Sequence, residues 1–223
     1  MNRRQIIYCA LVSLLLTVLC MFFVDQPVAA FVQRVDGASS AILVKGTKFL
    51  EVLFGFPISR YAITIALIAI GLILLAWKST RSVAWMLLFI GCTQGTTRII
   101  VGTLKGVFER LRPFEVIQAG NWDWKFFSGH GDAFPSGHSA HFWGLYFPLA
   151  FLFPRYRIPL AIIPLFIVIA RVGINVHWCS DVIGSIAVAA AVTLLFSLVF
   201  RMKPGQVPGN TKITAPADPR DRP

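Results

Sequence analysis

The chain has 223 residues, of which 56% are hydrophobic and 14% charged, with a mean hydropathy of +0.70. Such a composition argues against a soluble domain, because several stretches reach the roughly 20 mainly apolar residues that a spanning helix needs. The formal net charge of +11 would suit a nucleic-acid binder, but Lys and Arg sit in short clusters between apolar segments rather than along one polar face, so no nucleic-acid partner is expected.

In chain order, Met1-Asn2-Arg3-Arg4 precedes an apolar run from about Ile6 to Val24. Val28-Ala29-Ala30 resembles a cleavage site, yet the run exceeds the usual 7–15 residues of a signal peptide, so an uncleaved first span is expected. From Asp25 to Arg60, apolar positions mix with Arg34, Lys45, Lys48 and Glu51, and Phe49, Leu50, Val52, Leu53 and Phe54 fit part of it to the interface plane. Further spans are predicted at about Tyr61–Trp77, Ser82–Thr103, Gly137–Phe153, Ile158–Ile174 and Val182–Phe200. Lys105 to Ser136 reads as a long polar and aromatic loop. The pattern predicts an all-α, six-transmembrane helical bundle as a single domain over residues 1–202. Residues 203–223, rich in Pro, Gly and charge, are expected to be a disordered cytoplasmic tail. Cys9, Cys20 and Cys92 lie in apolar runs, and Cys179 stands alone near a motif, so the four cysteines build no disulfide framework.

Loop charge sets the expected orientation. With the N-terminus in the cytoplasm, the inner segments carry Arg3 and Arg4, Lys78 and Arg81, Arg155 and Arg157, then Arg201 and Lys203. The outer segments also hold Arg34, Lys45, Lys48, Arg60, Lys105, Arg110, Arg112 and Arg171, which weakens the contrast unless the last four have a binding job.

Three pieces converge on that outer face: Lys105 and Arg112-Pro113; Pro135-Ser136-Gly137-His138; and Arg171, His177 and Asp181. Lys105, Arg112 and Arg171 supply permanent positive charge, and Arg offers a planar fork that suits phosphate oxygens. Ser136 and Gly137 open a helix whose first N–H groups favour an anion. His177 and Asp181 are four apart, so on a helix they share a face. A carboxylate on one imidazole nitrogen leaves the other free to attack. His138, arriving from another helix, can then protonate the departing alkoxide. Each piece also has a plainer reading. Ser136 and Asp181 could cap helices, and Lys105 and Arg112 could snorkel. The histidines have spacings that metals use, but three cations nearby oppose a divalent ion, and neither metal nor cofactor is expected.

The spaced motifs Lys105-x6-Arg112-Pro113, Pro135-Ser136-Gly137-His138 and Arg171-x5-His177-x3-Asp181 resemble the three-part signature of the type 2 phosphatidic acid phosphatase family. The resemblance implies that Lys105, Arg112, Ser136, Gly137 and Arg171 bind phosphate. It makes His138 the general acid, His177 the nucleophile and Asp181 its orienting partner. The family usually has Ser before the third-motif Arg, where this chain has Ala170, and a tuning effect is expected there.

Trp122, Trp124, Phe126, Phe127 and Trp178 surround the motifs and suit the headgroup level. The expected activity is therefore a membrane phosphatase acting on a lipid phosphate or diphosphate in the bilayer through a phosphohistidine. Phosphatidic acid, phosphatidylglycerol phosphate, undecaprenyl diphosphate and lipid A are all candidates. A phosphotransferase with the same intermediate is the alternative, and Arg98, deep in the third span, leaves an anion transporter open. Family analogy and loop charge imply a bacterial inner membrane, with both termini cytoplasmic and the site facing the periplasm. No sequence feature fixes an oligomeric state.

Overall fold

The computed structural model describes residues 1–120, 122 and 126–205. Trp124 and most of the expected tail, residues 206–223, lie outside the described residues. Every regular element described is helical: α1 (Arg3–Phe23), α2 (Asp25–Arg34), α3 (Ala41–Leu53), α4 (Ala62–Leu74), α5 (Arg81–Phe108), α6 (Pro113–Gln118), α7 (Gly137–Leu152), α8 (Arg157–Gly173) and α9 (Cys179–Val199).

Local chemistry sets the helix ends. Asn2 caps α1: its side chain accepts from Gln5 N at 2.9 Å, while the Gln5 side chain accepts from Asn2 N at 2.9 Å, a reciprocal capping box. Ser136 caps α7, and Glu109 closes α5 in the left-handed region at φ 42°. Ile6, Ser13, Thr17 and Cys20 form one buried stripe on α1. That stripe packs on α9, whose buried face carries Gly184, Ser185, Ala189 and Ala190. Small residues on facing stripes let the two backbones approach closely. The rest of α1 turns Leu11, Leu14, Leu15, Phe22 and Phe23 outward.

The central helix is α7, packed against α5, α8 and α9. Gly144 permits its contact with α5, since a Cβ there would lie 3.3 Å from Gln94 Cα. Among the described residues, four segments are long and apolar enough to cross a membrane: Arg3–Phe23, Lys78–Gln118, Pro154–Gly173 and Cys179–Val199. With 13 and 16 residues, α4 and α7 are shorter, about 20 and 24 Å at roughly 1.5 Å per residue.

Asp25–Arg60 contains two helices, α2 and α3, and α3 packs on α8. Two details differ from the sequence reading. The expected loop from Lys105 is shorter, because α5 continues to Phe108 and α6 follows at Pro113. His177 is not on a helix with Asp181. It lies in the turn ahead of α9, and that turn brings the two side chains together.

Candidate active site

The C-terminal ends of α5 and α8 meet the N-terminal ends of α7 and α9 at one end of the bundle. Backbone hydrogen bonds join the motif segments there. Ser136 N donates to Asp181 O at 2.9 Å, His177 N to Arg171 O at 3.2 Å, and Phe114 N to Asn175 O at 3.2 Å. Trp178 Nε1 donates to Leu111 O at 2.8 Å. Residues scattered from 105 to 181 thus become one site.

His177 is 2% exposed, with Nδ1 3.3 Å from Asp181 Oδ2. A proton on Nδ1 bonds that carboxylate and leaves the Nε2 lone pair free. Burial, and then the charges of Lys105, Arg171 and Arg112, push the His177 pKa well below 6.5. The imidazole is therefore neutral near pH 7, the form a nucleophile needs.

Asp181 has several partners. Its Oδ2 accepts from Trp178 N at 2.8 Å, so the capping reading is also true of it. Its Oδ1 accepts from Arg110 Nη1 at 2.6 Å. Arg110 is fully buried, and its Nη2 reaches Asp25 Oδ2 at 2.7 Å. Asp25, the first residue of α2, also binds Ser180 through its backbone N at 2.9 Å and its hydroxyl. Buried charges persist when paired and hydrogen-bonded, and this chain of contacts fixes the carboxylate behind His177.

All three cations lie close enough to His177 to act on it. Arg112 Nε and Nη2 bond Asp132 Oδ1 and Oδ2 at 2.7 and 3.0 Å. Lys105 Nζ bonds the Asp132 carbonyl and lies 3.8 Å from Oδ2. The Arg112 hydrogen bond, and then the Lys105 charge, hold the Asp132 carboxyl below the usual range. Arg112 and Lys105 together thus hold an anionic group, the Asp132 carboxylate, in the planar-fork geometry that also suits phosphate oxygens. Arg171 Nε is buried with no hydrogen bond among the described residues, an arrangement that calls for an acceptor. Gly137 leaves its side open toward Lys105, whose Cε would be 3.7 Å from an added Cβ. Ala170 is fully buried beside Arg171 and offers no polar group.

His138, second residue of α7, bonds Glu51 Oε1 through Nε2 at 2.7 Å. Arg98 donates to Gly137 O at 3.4 Å and lies 5.4 Å from the ring centroids of Phe56 and Tyr61. That cation is part of the site's underside. Trp178, expected at headgroup level, is 1% exposed and packs with Ala29, Val116 and Ala133. Phe127, at 69% exposed, is an outward aromatic. Among the described residues no group of three or more His, Cys, Asp or Glu is placed to hold a metal ion.

Sequence reasoning gave no role to Asp132 or Asp25, read Glu51 only as part of the interfacial stretch, and placed Arg110 among the outer cations with a binding job without seeing its carboxylate partners. The signal available was scarcity: with only 10 Asp and Glu in so basic a chain, each carboxylate near a motif was a candidate partner.

Comparison with known proteins adds independent findings. The sequence model of the PAP2 superfamily matches residues 82–204. A lipid A 1-phosphatase of Rhizobium johnstonii is 31% identical over 205 residues, covering 86% of this chain and 80% of that protein. A lipid A 1-phosphatase of Rhizobium etli is 29% identical over 203 residues, covering 86% of this chain and 84% of its own length. No solved structure matches.

Proposed function

This chain belongs to the PAP2 superfamily, a phosphatase of the type 2 phosphatidic acid phosphatase kind, and on that premise we propose that it hydrolyses a lipid phosphate through a phosphohistidine on His177. The observation that carries the reading is a buried His177 with Nδ1 on Asp181, close enough to Lys105, Arg112 and Arg171 to feel their charge.

In the first half-reaction His177 Nε2 gives its lone pair to phosphorus. The phosphorus–oxygen bond to the lipid breaks, and His138 gives that oxygen a proton. In the second half-reaction His138 takes a proton from water, whose oxygen attacks phosphorus; the phosphorus–Nε2 bond breaks, its electron pair returns to His177 Nε2, and inorganic phosphate leaves. Lys105, Arg112 and Arg171 bind the equatorial oxygens, where charge develops, with Ser136 and Gly137 at the α7 N-terminus. Asp132 leaves the cradle as substrate enters.

Lipid A is the substrate to test first, because the two relatives are lipid A 1-phosphatases. We place the protein in a bacterial inner membrane as one six-span domain over residues 1–202. Four helices of sufficient length and the shorter α4 and α7 support that count. Loop charge supports cytoplasmic termini, a cytoplasmic tail over residues 203–223, α2 and α3 at the periplasmic interface, and a periplasmic site. The test is phosphate release from lipid A and other lipid phosphates in detergent, comparing wild type with His177→Ala. Release by wild type alone supports the reading, and none from any lipid by folded wild type overturns it.

A further inference from the structure

We propose that Glu51, on the interfacial helix α3, is the positioning residue of the general acid: it holds the proton on His138 Nε2 and turns Nδ1 to the leaving oxygen. The inference rests on the acid role proposed above for His138, and Glu51 lies outside the residues that match the family model.

Two contacts from one short segment fix the imidazole. Glu51 Oε1 meets Nε2 at 2.7 Å, and the Phe56 ring stacks on the imidazole at 5.2 Å between centroids with a 21° interplanar angle. The segment is itself anchored. Leu50 packs with Phe142 and Ile167, and Phe54 meets Phe142 edge-on at 5.0 Å. Nδ1 of His138 has no hydrogen bond among the described residues.

Burial, and then the charges around His138, explain why a carboxylate is needed. Arg98 from α5, Arg171 from α8 and Glu51 from α3 act on it. It in turn acts on His141, one turn along α7, and on His177 before α9. Lys105 from α5 lies against the adjoining Gly137. The fixed charges of Arg98, Arg171 and Lys105 all oppose an imidazolium, and Glu51 opposes them. The His138 hydrogen bond in turn holds the Glu51 carboxyl below the usual range, so Glu51 remains the anion throughout. The imidazolium loses its Nδ1 proton to the lipid oxygen as the phosphorus–oxygen bond breaks. It regains one there from the attacking water, while Nε2–H stays on Glu51. Each histidine of the site thus has a carboxylate: Asp181 behind His177, and Glu51 behind His138.

The test compares kcat/KM for lipid A with that for p-nitrophenyl phosphate, whose leaving group needs no proton, in wild type, Glu51→Gln, Glu51→Asp and His138→Asn. Because kcat/KM reports the free enzyme's acid and base, its alkaline limb follows His138. Glu51→Gln is expected to lower the lipid-to-aryl ratio at least tenfold and to move the alkaline limb down by about one pH unit or more, the size of a lost neighbouring charge. Glu51→Asp is expected to restore part of both. An equal loss on both substrates, or an unmoved limb, while His138→Asn lowers the ratio, overturns the role of Glu51 alone. If His138→Asn leaves the ratio unchanged, the acid assignment falls and the pair falls with it.

Discussion

Arg112 grips Asp132 through two parallel hydrogen bonds, Nε to Oδ1 at 2.7 Å and Nη2 to Oδ2 at 3.0 Å, so the protein's own carboxylate occupies the fork that we propose for the substrate phosphate. Asp132 belongs to the segment before α7, and its carboxylate is more than half exposed. It can therefore swing away when a stronger anion arrives. Exposed ion pairs contribute at most about 1 kcal/mol, which sets the scale of the competition. Asp132→Asn is expected to lower the inhibition constant of inorganic phosphate about threefold to fivefold. Inhibition titrations check this, and weaker phosphate binding in the variant would show that Asp132 builds the cradle rather than competing for it.

Burial and the facing cations keep His177 neutral, which gives a pH dependence with a definite sign. In the proposed mechanism the neutral form attacks, so the acid side of the activity profile falls as pH drops through a pKa well below 6.5. The acid limb of kcat/KM is expected there. Lys105→Ala removes one opposing positive charge and should move that limb to higher pH, whatever it does to the overall rate. A limb at or above 6.5 in wild type, or one that moves down in the variant, would contradict the electrostatics.

Arg110 bridges Asp181 and Asp25 with its side chain fully buried. Removing one member of such a group leaves an uncompensated charge and costs about 3–5 kcal/mol. Arg110→Met is expected to lower the apparent melting temperature in detergent by on the order of 10 °C. Asp25→Asn, which keeps the shape and some hydrogen bonds, should cost less. Both should slow turnover because Asp181 loses its anchor. Thermal unfolding with activity measured on the same samples checks the ranking, and an Arg110→Met protein as stable as wild type would contradict it.

The helical character and the motif segments that meet at the candidate site were legible in the sequence because both depend on local pattern. Apolar runs of span length marked α1, α5, α8 and α9, and the spacing of Lys105, Arg112, His138, Arg171, His177 and Asp181 marked the site's segments. Long-range pairing was not legible. The contact of Asp25 with Arg110 spans 85 positions and that of Glu51 with His138 spans 87. Both carboxylates lie on helices read only as an interfacial stretch. The His177–Asp181 contact was anticipated from helical spacing, yet it comes from a turn, since the α9 N-terminus folds Asp181 back onto Trp178 N. A spacing of four residues can bring two side chains together by either route.

The most direct test is rapid chemical quench of the enzyme with lipid A labelled with 32P on its phosphate. Wild type is expected to carry a protein-bound phosphate that is stable in alkali and lost in acid, formed and consumed at rates that account for turnover. His177→Ala should carry none. Turnover of lipid A by wild type without such an intermediate, or the same label on His177→Ala, would contradict a phosphohistidine at His177.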